Sequence, residues 1–403
     1  MIETLKIASY RVVQGIIGAT FRVLPIPTQT MVTGKGSMMK IPSMLQNNKI
    51  NKLLLVCSHS VYQNELLDTL LDELQMQQIS YTIFDRIKPN PTVENVEEGY
   101  ALYLQNQCQA IIAIGGGSPL DCAKIIGVKA TNHNLSYEKM KRIYPITSPM
   151  PPFFAIPTTA GSGTESTIAA VISEPATHSK YAISSPLLMP SHVVLDPMLT
   201  LSLPNHITST TGMDALTHAI EAYLGTIGTK YTDKQALKAL KIIFNNLVSA
   251  YLDGSNVKVR AKLLYASNYA ANAFTRALVG YVHSISHAIS ALYDVPHGLA
   301  NAVILPYVLE YYGTSIYKKL ARIAIYTEIG KAGQKEDVLA KLVIRRIKEM
   351  NETMGISTKI PQIRKEDIPT IVNKALKEAN PLYPVPKIMD TKDCEKLLLK
   401  LCE

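Results

Sequence analysis

The chain has 403 residues, 47% hydrophobic and 18% charged, with 21 Gly and 23 Pro, which suits a globular protein with ample core. Its 41 Lys and Arg against 32 Asp and Glu leave a net charge of +9. These cations are scattered rather than blocked with aromatics, which argues against nucleic acid and is compatible with an anionic cofactor. No apolar run reaches the ~18 residues of a membrane span, so no membrane partner is expected. Five cysteines without a CxxC pair read as reduced thiols of a cytoplasmic protein.

Residues 1–30 read as a packed leader, in which Arg11 and Arg22 bracket an apolar stretch of ten residues. No small-residue cleavage pattern follows it clearly, although a targeting role is the alternative. From Ile50 to Asp196 short β-rich runs alternate with helical stretches. Leu53–Cys57 predicts a buried strand and Val61–Gln77 a helix; Tyr81–Asp85 and Val93–Gln107 repeat the pair. Ala110–Ile114 predicts a third strand leading through glycines into another helix. Further strands are expected at Phe153–Pro157, Ile168–Ser173, Tyr181–Ser184 and Val193–Asp196. This alternation predicts βαβ units and a parallel sheet.

After Pro204 helical periodicity takes over. Helices are expected at Met213–Leu224, Asp233–Leu252, Val259–Ala277, His283–Leu292, Tyr317–Tyr326, Lys335–Met350 and Asp393–Leu401. The reading is an α/β domain over residues 1–200 and an all-helical domain over 201–403, with the boundary near 197–205.

The run Gly115-Gly116-Gly117-Ser118-Pro119-Leu120-Asp121 follows a strand and opens a helix. Ser118 suits the N-cap, Pro119 the first helical position and Asp121 the third. Glycines let the backbone approach a ligand, and the helix N-terminus favours phosphate. The run is neither GxGxxG nor a Walker A loop, and a tight strand-to-helix turn is the plainer, less favoured alternative. A second loop, Pro157 to Thr167, carries six hydroxyls and one acid between apolar runs. Such a loop can bind pyrophosphate or ribose.

Asp214 and His218 in GMDALTHAIEAY lie four residues apart, on one helix face. They form either a hydrogen-bonded core pair or half of a metal site. His283 and His287 repeat the spacing, and His297 follows where Pro296 and Gly298 should turn the chain. Four histidines and an aspartate are hard to explain as core. Asp214, His218, His283 and His297 make a one-oxygen, three-nitrogen set suited to Fe²⁺ or Zn²⁺.

At these residues the chain resembles the iron-containing (group III) alcohol dehydrogenase family. The resemblance runs from about Ile26 to Leu401 and rests on GGGSPLD, PTTAGSGTEST, Asp196-Pro197, GMDALTHAIEAY and VHSISHA…PHG, in that order. It implies a Rossmann-like dinucleotide-binding α/β domain, a helical C-terminal domain, and a dehydroquinate-synthase-like architecture with metal and nicotinamide in the cleft. Carried over, Asp214, His218, His283 and His297 become metal ligands, and His287 the additional active-site histidine. Gly116, Gly117 and Ser118, with Asp121 in the same loop, match the pyrophosphate site. Thr158, Thr159 and Ser162 match the second cofactor loop, and Asn90, Thr167 and Lys180 also match cofactor positions. The implied activity is hydride transfer between NAD(H) or NADP(H) and a small-molecule alcohol, aldehyde or ketone, with the metal as Lewis acid. A homo-oligomer, a dimer or larger, is expected with it.

Two departures stand out. The second loop reads TTAGSGTE where the family has TTAGTGSE, an exchange of hydroxyls expected to matter little. Ser58 stands where NAD-preferring members place an Asp against the ribose 2′-OH, which admits NADP. The alternative is that Ser58 simply caps the next helix. Two rival functions were weighed. A lyase of the dehydroquinate-synthase type expects dense Lys and Arg around the metal, where this chain has Phe274, Leu278, Val279 and Tyr281. A non-catalytic metal- or nucleotide-binding protein would fail to oxidise a nicotinamide with an aldehyde.

Overall fold

The apolar runs of the first half assemble into one parallel sheet, because strands buried on both faces need side chains without polarity. The structure, a computed structural model, describes residues 2–402 apart from 65, 88, 143–144 and 175–178, and the backbone alone for 2–4 and 179–181. The strands are β1 (Thr30–Thr33), β2 (Lys52–Cys57), β3 (Ser80–Phe84), β4 (Ala110–Gly115), β5 (Phe153–Pro157) and β8 (His192–Leu195), in the order β1-β8-β5-β4-β2-β3. All pair in parallel. Two further strands, β6 (Ala169–Glu174) and β7 (Ser179–Ser184), form a separate antiparallel hairpin.

The chain runs outward from β2 to β3, then returns to place β4 on the other flank of β2. This reversal makes a crevice outside the carboxyl ends of β2 and β4, where open α/β sheets bind ligands. Leu54, Val56, Ile111, Ala113 and Phe153 form a core on one sheet face, and Leu53, Leu55, Ile112, Ile114 and Phe154 on the other. Covering helices include α2 (Ile41–Asn47), α3 (His59–Gln63), α4 (Asp68–Met76), α5 (Val93–Gln105), α6 (Gly117–Thr131) and the short α7 (Tyr137–Met140).

The second half is helical: α8 (Asn205–Leu224), α9 (Lys230–Leu252), α10 (Val257–Ala277), α11 (Tyr281–Tyr293), α12 (His297–Tyr312), α13 (Tyr317–Tyr326), α14 (Glu336–Thr353), α15 (Ile368–Ala379) and α16 (Thr391–Cys402). The chain divides into an α/β unit, Pro25–Leu203 with Ser255–Leu264, and a helical unit holding the rest. The leader differs from the sequence reading, which grouped it with the α/β half. It forms helix α1 (Ile2–Val23) and belongs to the helical unit. Arg11 donates to the carbonyls of Val385 (2.6 Å) and Pro386 (2.9 Å), and Gln14 to that of Tyr383 (2.7 Å). Gly18 lies so close to Ile227 that a Cβ would sit 2.8 Å from its side chain.

Two expected details also change. Val61–Gln77 is two helices, α3 and α4, rather than one. His297 begins α12 instead of lying in a turn, with Pro296 at the N-cap position.

Candidate nicotinamide loop and metal centre

Gly115 closes β4 at φ +153°, and its carbonyl accepts from the Thr158 N–H at 2.9 Å. Helix α6 starts at Gly117, with Gly116 at the N-cap position in extended conformation and no side-chain cap. Ser118 is therefore inside the helix, two residues past the N-cap position. Its Oγ instead accepts from the backbone N–H of Asn90 at 3.3 Å. Asn90 has φ +60°, a left-handed conformation that asparagine tolerates. The two loops press together: a Cβ on Gly116 would meet Thr159 at 3.5 Å, and one on Gly117 would meet Ser162 at 3.3 Å. What results at the carboxyl end of β4 is a bare helix N-terminus bordered by Thr159 and Ser162, geometry that suits an anion.

Asp121 does not serve the N–H groups of its own helix. It accepts from the Val171 N–H of β6 at 3.1 Å. Burial pushes its carboxyl up against the lowering effect of Lys124, and burial pushes Lys124 down. Lys124 is fully buried and donates to the Thr167 carbonyl (2.7 Å), the Thr167 hydroxyl (3.0 Å) and the Ala169 carbonyl (3.0 Å). The Thr167 hydroxyl is thus engaged inside the protein, and Lys124, which the sequence reading passed over, ties α6 to the second loop. Lys180 lies on β7, and its side chain is outside the described residues.

Ser58 follows β2 at the other side of the crevice. It occupies the N-cap position of α3 without a side-chain cap bond, its Oγ lying 3.1 Å from that of Ser60. Capping therefore does not account for its hydroxyl. Negative charge is nonetheless close by: Asp85, after β3, sits 2.7 Å from Nδ1 of His59.

In the helical unit, α8, α11 and α12 bring three of the four expected ligands together. One donor atom each from Asp214, His283 and His297 lies within 4.8 Å of the others. His297 Nε2 is 3.5 Å and His283 Nε2 3.9 Å from Asp214 Oδ1. The amide nitrogen of Asn301 lies 2.7 Å from Asp214 Oδ1, 3.0 Å from His297 Nε2 and 3.3 Å from His283 Nε2. The amide carries two hydrogens, so it can donate to Asp214 Oδ1 and to one of the two imidazole nitrogens. The carboxylate and the two ring nitrogens converge on one point, the arrangement a cation needs. Close approach of α12 to α8 requires Gly298, where a Cβ would collide with the Thr210 carbonyl. His218 is not within that group. Its ring stacks on Phe274 (4.1 Å between centroids) and on His283 (4.5 Å).

Behind these donor groups stand partners that spacing in the sequence did not mark. Glu221, one turn beyond His218, is buried and accepts at 2.6 Å from His283 Nδ1 and at 2.8 Å from each of the Gly280 and Val282 N–H groups. Burial pushes its carboxyl up to about 7 against these donors. Burial, then His218, His297 and His287, hold His283 well below the usual imidazole range. A neutral His283 donating from Nδ1 to Glu221 keeps Nε2 free for a metal, the usual carboxylate–histidine support. Ser286 Oγ lies 3.1 Å from Nδ1 of His297. His287 points its Nδ1 at Glu378 (2.7 Å), which also accepts from the Tyr383 hydroxyl (2.8 Å). Its ring stacks on His297 with centroids 5.0 Å apart.

Known proteins match both halves. The iron-containing alcohol dehydrogenase model covers residues 27–197, and the Fe-containing alcohol dehydrogenase C-terminal model covers residues 208–402. The chain is 38% identical over 315 residues to 1,3-propanediol dehydrogenase of Citrobacter freundii, covering 78% of this chain and 81% of that one. It is 35% identical over 334 residues to the NADPH-dependent butanol dehydrogenase of Clostridium saccharobutylicum, covering 82% and 84%. The solved alcohol dehydrogenase from Oenococcus oeni superposes with a TM-score of 0.90 at 30% identity, over 94% of this chain and 100% of that one. The chain belongs to the iron-containing alcohol dehydrogenase family and is an oxidoreductase acting on alcohols.

Proposed function

We propose that the protein interconverts a small primary or secondary alcohol and its aldehyde or ketone. Asp214, His218, His283 and His297 would hold one divalent ion, and the Gly115–Ser118 loop the pyrophosphate of a nicotinamide coenzyme. The observation that carries this reading is the convergence of Asp214, His283 and His297 donor atoms within 4.8 Å. Two or three imidazoles and a carboxylate suit Fe²⁺, with Zn²⁺ as the alternative ion. When bound, the metal supplies Lewis acidity and the nicotinamide a hydride donor or acceptor.

The chain's own residues set the stage. Glu221 fixes the tautomer of His283, and Ser286 orients His297. His287, held at Nδ1 by Glu378, keeps Nε2 for relaying the hydroxyl proton to or from solvent. The Gly116 and Gly117 backbone and the hydroxyls of Thr158, Thr159 and Ser162 would hold the phosphates. Ser58 in place of Asp removes one charge that would repel a 2′-phosphate, and a relative is named for NADPH. The metal in the cell, the coenzyme and the oligomer (a dimer or larger) belong to the proposal.

The test is loss of absorbance from NADH and NADPH with a panel of aldehydes, in wild type and in Ser58→Asp. Turnover of an aldehyde with appreciable kcat/KM for NADPH, and a shift of the ratio toward NADH in the variant, are expected. No oxidation of either coenzyme would reject the activity. An unchanged ratio would reject the role of Ser58.

A further inference from the structure

Helix α1 carries an apolar face that nothing among the described residues covers. Leu5 is 65% exposed, Val12 64%, Ile16 63% and Val23 80%. At 100° per residue these four fall within an arc of roughly 40°. Ala8, Ala19, Ser9 and Thr20 widen the stripe, all exposed and all uncharged, and a Cβ on Gly15 would meet nothing within 4 Å. The opposite face is the one that docks, through Arg11, Gln14 and Gly18 as described above. Exposure of this stripe is therefore not fraying: the helix is anchored, with its apolar side turned out. Leaving such side chains in water is unfavourable, and contiguous exposed apolar patches mark interaction sites.

Charge indicates the occupant. Lys6 and Arg22 lie roughly 100° to either side of the stripe, where a helix lying in a membrane interface carries its cations. Neither makes an ion pair among the described residues. Sequence reinforces this: α1 carries no Asp or Glu after Glu3. No described helix is long and apolar enough to cross a membrane, so α1 can lie on a bilayer but not span it.

We propose that the outward face of α1 docks the protein on an anionic lipid surface, with Leu5, Val12, Ile16 and Val23 entering the headgroup boundary and Lys6 and Arg22 meeting lipid phosphates. This revises the expectation that no membrane takes part, and it does not depend on the proposed reaction. Single amphipathic helices bind weakly and in a salt-dependent way.

The experiment is flotation of the full-length protein with vesicles of phosphatidylcholine alone and with about one quarter phosphatidylglycerol. Binding to the anionic vesicles alone is expected, falling at least about tenfold as salt rises from about 0.05 to about 0.5 M. Val12→Asp/Ile16→Asp should lower it at least about tenfold, with the circular dichroism spectrum unchanged, because both positions are exposed. Lys6→Glu/Arg22→Glu should do the same without touching the apolar stripe. The proposal fails if neither vesicle floats the protein, if both float it equally, or if both double variants bind like wild type. It also fails if Val12→Asp/Ile16→Asp lowers the molecular mass in solution, since the face would then cover a second copy.

Discussion

Glu221 lies seven residues after Asp214, which returns it to the same face of α8 two turns on. Its carboxylate holds His283 at 2.6 Å, so removal of its charge should loosen the ligand rather than remove it. Glu221→Gln is expected to weaken metal affinity on the order of 10- to 100-fold, measured by competition with a chelator. An unaltered affinity would make Glu221 a plain core residue. His287 makes the opposite case. It touches His297 but is held by Glu378, so His287→Ala should keep the metal and slow turnover by roughly 100-fold. Metal loss in that variant would make His287 a ligand. Of these groups, the histidines and Asp214 were legible because helical spacing marked them. Glu221 carried the same signal, at i+7, and was passed over inside an apolar helix. Glu378 carried no signal, because it approaches His287 from a helix 91 positions away in the chain.

At the scale of elements, every strand except β1 was legible, because fully buried parallel strands are short unbroken apolar runs, while β1 is a largely exposed edge strand. Phe153–Pro157 and Tyr317–Tyr326 match their observed bounds. Helix α12 escaped notice for a physical reason: it is apolar on all sides and contains Pro306, so it shows no amphipathic period. The leader gave no local signal of its assignment, because Arg11 and Gln14 bond to carbonyls 369 to 375 positions away in the chain. Ser118 was expected to cap α6, yet the chain starts that helix earlier and uses Gly116, which leaves the N–H groups exposed. The link from α6 to the second loop rests on Lys124, buried with Asp121 and three oxygen acceptors. Lys124→Met leaves those acceptors and the Asp121 carboxylate without a cation in the interior. The expected cost is about 3 kcal/mol, read from urea unfolding. A change below about 0.5 kcal/mol would show that water replaces the ammonium.

For the whole molecule, the order of motifs along the chain fixes the assignment better than any motif alone. The two family models leave residues 198–207 between them, and the main segment of the α/β unit ends at Leu203. The α/β unit carries the glycine loop at the switch point of its sheet, and the helical unit carries the acidic and imidazole donors. The account depends most on the claim that these donors hold a metal, and His218 is the sharpest place to test it. The three other proposed ligands converge without it, while His218 stacks on Phe274 and His283. The measurement is metal content per chain by elemental analysis, in wild type and in His218→Ala, alongside aldehyde-dependent nicotinamide oxidation. The account predicts about one divalent ion per wild-type chain, and loss of both metal and activity in a variant that still folds. A His218→Ala protein that keeps its metal and its turnover would contradict it.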